Sequence, residues 1–155
     1  MDWSGFWTRR VSGPVLGLLR QGLTPEGIAL ALAFGLAAGV FPLLGTTTLL
    51  GVAIAAILRL NQPALQLANW LAYPLQLVLI QPFVRLGEWL VGVPPTPFSV
   101  AEVARSLAAD PAQAVTAFGM VGLHAVLGWV AVAPIAVLAL YRILLPVLRE
   151  ARRAV

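Results

Sequence analysis

The side chains that ordinarily carry catalysis are nearly missing from this chain. It contains no cysteine and a single histidine, His124. Thiolate nucleophiles, disulfides and cysteine-ligated metals are therefore excluded, and one imidazole cannot build a histidine metal cage. The four serines (Ser4, Ser12, Ser99 and Ser106) and all six carboxylates lie outside three uncharged runs, 27–58, 60–84 and 111–141. No histidine-supported nucleophile can be assembled from such parts. The sequence predicts no enzyme, no metal site and no cofactor.

What remains is hydrogen bonding inside apolar runs. The segment Phe41-Pro42-Leu43-Leu44-Gly45-Thr46-Thr47-Thr48 places a proline, a glycine and three hydroxyls within one turn. A helix broken there would expose backbone N–H groups at the start of its second half, and the helix dipole would favour an anion beside them. The competing reading is that the threonines bond back to their own helix and the proline only makes the turn. Run 60–84 adds Asn69, Trp70, Tyr73, Pro74, Gln76 and Gln81. Side-chain amides are costly in lipid, so they face a bundle interior or a wet cavity, where they either glue helices or meet a ligand. Pro42, Gly45, Thr46, Thr47, Thr48, Asn69, Tyr73 and Gln76 are the candidate substrate-binding residues. His124, alone on a glycine-rich run, is expected to make a structural hydrogen bond, with a proton-relay role as the alternative.

These residues need elements to hold them, and the composition says which solvent those elements meet. Of 155 residues, 60% are hydrophobic and 10% charged, with a mean hydropathy of +0.91. A soluble domain carries about 25% charged residues, and one this small could not hide so much apolar surface. An all-α integral membrane protein follows. A bilayer core of about 30 Å takes about 20 helical residues, so 62–84 and 111–141 each fit one span. Run 27–58 would reach roughly 48 Å as one helix, and Pro42 and Gly45 interrupt it. Two half-helices, 27–41 and 43–58, are expected, either as a re-entrant hairpin or as two short spans. Thr24-Pro25-Glu26 and Asp110-Pro111-Ala112-Gln113 read as helix starts, and Ser99-Val100-Ala101-Glu102 as a capping box opening a short helix to about Ala109. The triplets Phe41-Pro42-Leu43 and Tyr73-Pro74-Leu75 recur along the chain.

The expected order is an interfacial arm (1–24), the broken hairpin (25–58), a span (62–84), an external connector with its short helix (85–110), a second span (111–141) and a basic tail (142–155). The arm pairs Trp3, Phe6 and Trp7 with Arg9, Arg10 and Arg20, as interfacial helices do. Arg20 interrupts what would be the apolar core of a twin-arginine signal, so the arm is expected to be retained. All ten basic residues are arginines and the net charge is +4. They stand at segment ends, which reads as membrane orientation rather than nucleic-acid binding. Both termini are expected in the cytoplasm, because eight arginines then share that side while Arg85 and Arg105 lie outside among Glu88, Glu102 and Asp110. Gly27, Ala31, Gly35 and Gly39 repeat every four residues, and Thr47, Gly51 and Ala55 follow the same rhythm. Such faces let membrane helices approach closely; packing within the hairpin is the first expectation and a homo-oligomer the second.

On Thr24-Pro25-Glu26, Ala33-Phe34-Gly35 to Gly39-Val40-Phe41, Pro42-Leu43-Leu44-Gly45, Asn61 and Tyr73-Pro74, residues 22–92 resemble the bacterial membrane family named domain of unknown function 2062. The chain differs from that pattern in carrying threonines where a glutamine often follows the break glycine, and Tyr73-Pro74 where Asn-Pro is common. The resemblance implies a small protein of the bacterial inner membrane near lipid-linked sugars, some members being joined to glycosyltransferase-like domains. Binding or translocation of an anionic lipid-like substrate, such as an isoprenoid phosphate, is the expected function, with membrane lipids as partners. The alternative is a non-transporting anchor for a glycosyltransferase or another envelope-assembly enzyme.

Overall fold

A computed structural model describes Gly17 and residues 23–153; the expected interfacial arm falls outside them except for Gly17 and its last two residues. Helix α1, Pro25–Gly39, starts as its motif predicts: the Thr24 hydroxyl accepts from the Gly27 N–H at 3.1 Å, and Pro25 fills the first turn, where no donor is needed. The break after it is wider than the sequence suggests. Residues 40–46 are non-helical, and α2 is Thr47–Leu58. Pro42 cannot continue a helix, and Gly45 takes a φ of +82°, a left-handed conformation that glycine enters freely. The half-helices are thus 25–39 and 47–58, not 27–41 and 43–58.

Asn61 opens α3, Gln62–Leu71, by accepting from the Ala64 N–H at 2.9 Å. The expected span 62–84 is not one helix. It divides at Ala72 into α3 and α4, Tyr73–Val91, which are bent by 67°. Pro74 has no N–H for the Trp70 carbonyl, which accepts instead from Ala72. Both recurring triplets therefore mark helix breaks, whereas Pro82, Pro134 and Pro146 sit inside helices. Helix α4 ends at Gly92, φ +77°, where the N–H groups of Gly92 and Val93 close on the Glu88 carbonyl. Helix α5, Val100–Ala109, begins where Ser99 predicts, but its hydroxyl makes no capping bond. Asp110 does cap α6, accepting from Ala112 and Gln113 at 3.0 and 3.1 Å. The reciprocal half of that capping box is unavailable, because the Asp110 N–H already bonds Ser106.

Helix α6, Pro111–Arg153, is the spine, and at about 64 Å it runs through the expected span and the basic tail without a break. Among the described residues it is the one helix long and apolar enough to cross a membrane; α3 and α4 pass that test only together. Helix α1 lies antiparallel along the C-terminal half of α6: Glu26 pairs with Arg149 at 2.9 Å, Ile28 and Ala29 pack on Leu148, and the Trp129 indole donates to the Ala37 carbonyl at 2.9 Å. Helix α4 lies along the N-terminal half, where Gly87 meets the His124 backbone and Gly128 meets that of Phe83. The two follow one another along the spine, with the break at their joint.

Candidate functional site

The break is held from one side by amides. Gln76, fully buried, donates to the Phe41 carbonyl at 2.6 Å. Asn69 donates to the Thr47 carbonyl at 3.1 Å and to Gln66 at 2.9 Å, and Gln66 donates to the Thr48 carbonyl at 3.1 Å. These amides sit on α3 and the start of α4, which the bend at Ala72 folds around the end of α1. Their donors fasten the break, which is the gluing role considered for them. Three buried polar atoms are left without a partner among the described residues: the acceptors Asn69 Oδ1 and Gln76 Oε1, and His124 Nδ1. His124 was expected to make a structural hydrogen bond, and its buried Nδ1 finds no partner among the described residues.

The threonines divide. Thr46 donates its hydroxyl proton to the Leu43 carbonyl at 2.8 Å, within its own turn. Thr48 accepts from the Trp70 indole at 3.4 Å. The N–H groups in the first turn of α2 face the break along the helix axis, as at any helix start. Gly45 is exposed and Pro42 is buried. Tyr73 is 55% exposed at the bend and is not brought to the break.

The small-residue faces meet α3 more closely than each other. A Cβ on Gly35 would run into the Leu65 carbonyl and come within 2.8 Å of Ala68 Cβ; one on Gly39 would overlap the Asn69 carbonyl and approach Ala72 Cβ to 2.7 Å. Gly51 is tight against Leu65 and Gln66, while Ala31 and Ala55 pack together with Ala64 and Leu65. Gly27 departs from the expectation. It is exposed, its Cβ would meet only the Thr24 hydroxyl, and its N–H serves the cap.

Beyond the break, on the α4 side, lies a cavity of about 470 Å³. Pro42, Leu43, Leu44 and Thr46 form one wall, Ile80 and Val84 of α4 a second, and α6 from Ala114 to Val126 a third. Val100, Val103 and Leu107, the apolar side of α5, line a further side, and the cavity stays about half open. Every lining side chain is apolar except the Thr46 hydroxyl. The connector before α5 is pinned by a clasp: Glu88, buried, accepts from Arg85 at 2.8 Å and from the Thr96 N–H at 2.7 Å, while Arg85 also donates to the Thr96 carbonyl. Arg85 lies 5.9 Å from the centre of the Phe98 ring, which lines the cavity.

Sequence reasoning missed Gln66, the Arg85–Glu88 clasp, and Trp129 with Gly87 and Gly128. The spacing of Arg85 and Glu88, three apart on a helix, was a usable signal. A lone tryptophan among small residues, as Trp129 is, was another.

A family model described as an uncharacterized protein conserved in bacteria (DUF2062) matches residues 9–155. The chain belongs to that family, and the match extends well past the 22–92 on which the resemblance rested, taking in all of α5 and α6. No curated protein and no solved structure matches the chain.

Proposed function

We propose that this DUF2062 protein is embedded in the bacterial inner membrane and binds an anionic lipid-like substrate, with its apolar chain in the cavity beyond the break and its head group at the start of α2. The carrying observation is the cavity itself. Its 470 Å³ lies in the range of ligand pockets, its walls are apolar, and its one polar side chain, Thr46, is the residue that opens α2.

Placement in a membrane is supported by what the fold leaves outside. Leu49, Ile57, Val78, Trp89 and Ile135 are each more than 65% exposed. Only 22% of the most apolar stretch of α6 is buried, unlike the core helix of a soluble protein. Helices α1 and α2, about 22 and 18 Å long, are too short to cross a core of about 30 Å. The Phe41 ring lies 4.9 Å from Trp129, and Leu43 neighbours Gly122, so the break stands level with the middle of the uncharged run 111–141. A re-entrant hairpin whose tip reaches the bilayer midplane fits those lengths. Ala31 against Ala55 returns α2 beside α1, and Arg59 then shares an end of the molecule with Arg142, Arg149, Arg152 and Arg153. Translocation would use the same site, since broken helices at the midplane are where transporters hold their cargo.

The non-transporting anchor has one observation in its favour: the amide donors and the Thr46 hydroxyl are spent on the break itself. Native mass spectrometry with a polyprenyl phosphate and the matching neutral polyprenol separates the two. Wild type should retain the phosphate over the alcohol. Thr47→Val with Thr48→Val should fold normally and lose about tenfold in that preference, the worth of one or two hydrogen bonds to a charged group. Equal retention of phosphate and alcohol would place the anchor first.

A further inference from the structure

On the outer face of α4, two polar groups go unused. Gln81 is exposed and lies inside the uncharged run 60–84. Gln76 and Arg85, on either side of it, are hydrogen-bonded, whereas the Gln81 amide makes no hydrogen bond among the described residues. Beside it, Pro82 sits inside the helix. Having no N–H, Pro82 leaves the Val78 carbonyl without the donor that a helix supplies four residues on. Val78 is 67% exposed and Pro82 is exposed too, so this carbonyl opens on the same outer face.

The two groups share a level. A helical side chain leans toward the N-terminus of its helix, which brings the amide of residue 81 to the turn that holds residue 78. One turn therefore presents two amide protons and an amide oxygen beside a carbonyl that lacks its donor.

Depth makes this arrangement costly. Helix α4 runs antiparallel to α6, since Gly87 meets the His124 backbone while Phe83, one turn earlier, meets Gly128. Gln81 is then level with about Val130, 12 residues and about 18 Å before Arg142. In the proposed membrane placement that is close to the middle of a core of about 30 Å. The side chain also leans away from Arg85, the nearest charge on its own helix. A glutamine there is too short to snorkel to water, and hydrocarbon supplies neither donor nor acceptor.

We infer that α4 pairs with the α4 of a second copy of this chain, the Gln81 amide of each donating to the Val78 carbonyl of the other. The inference rests on the membrane placement and not on the lipid site. The occupant is a second copy because the patch complements itself. Copies inserted in the same orientation are related by a twofold axis along the membrane normal, so their α4 helices run parallel and equivalent residues meet at equal depth. With donor and acceptor already at one level on one face, the twofold satisfies both pairs at once; a purely apolar helix would satisfy neither. Pro74, Val78, Pro82 and Trp89, all exposed, extend the contact along about 22 Å of the same face. The small-residue faces of α1 and α2 are already filled by α3, so the second copy meets α4 instead.

The test follows dimer formation against protein-to-lipid ratio in vesicles of phosphatidylethanolamine and phosphatidylglycerol, read by fluorescence transfer between labelled full-length copies. Gln81→Leu removes the donors and should raise the ratio at half-dimerisation about tenfold, the worth of two interhelical hydrogen bonds in lipid. Pro82→Ala returns an N–H to the Val78 carbonyl and should shift the midpoint the same way. Its melting temperature in detergent should stay at or above that of wild type, since the helix gains a bond, which separates a lost interface from a damaged fold. In membranes, a short bis-maleimide should join copies carrying Val78→Cys and leave copies carrying Ile57→Cys, equally exposed on α2, as monomers. Unchanged midpoints in both variants, or equal cross-linking at the two cysteines, would overturn the pairing while the membrane placement stands. Release of the wild type from membranes by alkaline carbonate would refute the placement, and the pairing with it.

Discussion

At the scale of single residues, glycine and glutamine fix the geometry of the break. Gly35 and Gly39 let α1 approach α3 until the backbones touch, and in a membrane that contact replaces the hydrophobic drive available in water. Gly39→Leu should cost at least ~1–3 kcal/mol by overpacking, a fall of roughly 2–4 °C in Tm for each kcal/mol, read by melting in detergent. Gly27→Ala, on the exposed first turn, should stay within about 0.5 kcal/mol of wild type; an equal loss from both would mean that the Gly39 face is not an interface. Gln76→Leu strips the Phe41 carbonyl of its partner and should destabilise by ~1–3 kcal/mol. These positions were legible as a four-residue rhythm of small residues, but not their partner. Spacing shows that a face is thin, and only the bend at Ala72 decides which helix fills it.

Helix starts were legible because their signals are local. Thr24 and Asp110 cap as their side chains dictate, and Pro42 breaks the first run. The bend at Ala72 was not legible, because 60–84 carries no charge and Tyr73-Pro74 looks no different from the prolines that α4 and α6 accommodate. A membrane helix tolerates proline when neighbours satisfy the freed carbonyl, and those neighbours are remote in sequence. The clasp on α5 is likewise tertiary. Glu88→Gln weakens its grip on Thr96 and should speed amide exchange over 94–109 several-fold while leaving α1 and α6 protected; unchanged exchange there would mean that α5 is held by its apolar side alone. At the other end, the Glu26 carboxyl is held below its ordinary value of 4.5 by its own backbone N–H and by Arg149. A depressed carboxylate lends stability above that value and loses it as the pH falls through the lowered one. Docking of α1 on the end of α6 should therefore weaken in acid below about pH 4.5. The effect is small for so exposed a pair. Glu26→Gln should reduce the acid dependence of melting, leaving the part that comes from Glu88, whose carboxyl the Thr96 N–H and Arg85 also hold low.

For the whole molecule, the spine orders everything else: arginines gather at its C-terminal end, the clasp and α5 at its N-terminal end, and the break between them. In the proposed membrane placement, the arginine-rich end would face the cytoplasm and the 94–97 connector would lie outside. A cysteine at Thr96 should react with an impermeant thiol reagent in intact cells, and one at Arg153 only after permeabilisation; the reverse would invert the molecule. The absence of native cysteine makes the labelling unambiguous. The all-helical character of the described residues was legible in the long uncharged runs. The cavity was not, because its walls come from four segments whose apolar residues look alike in sequence.

The most direct test of a lipid chain in that cavity is to see where the chain goes. A polyprenyl phosphate carrying a photoreactive diazirine near the end of its chain, reconstituted with the wild-type protein and irradiated, should label residues within 42–46, 80–84 and 114–126, the walls beyond the break. Excess unlabelled polyprenyl phosphate should compete it away. Labelling confined to the outward-facing Leu49, Ile57 and Trp89, and insensitive to competitor, would contradict it: the protein would then meet lipid only as solvent.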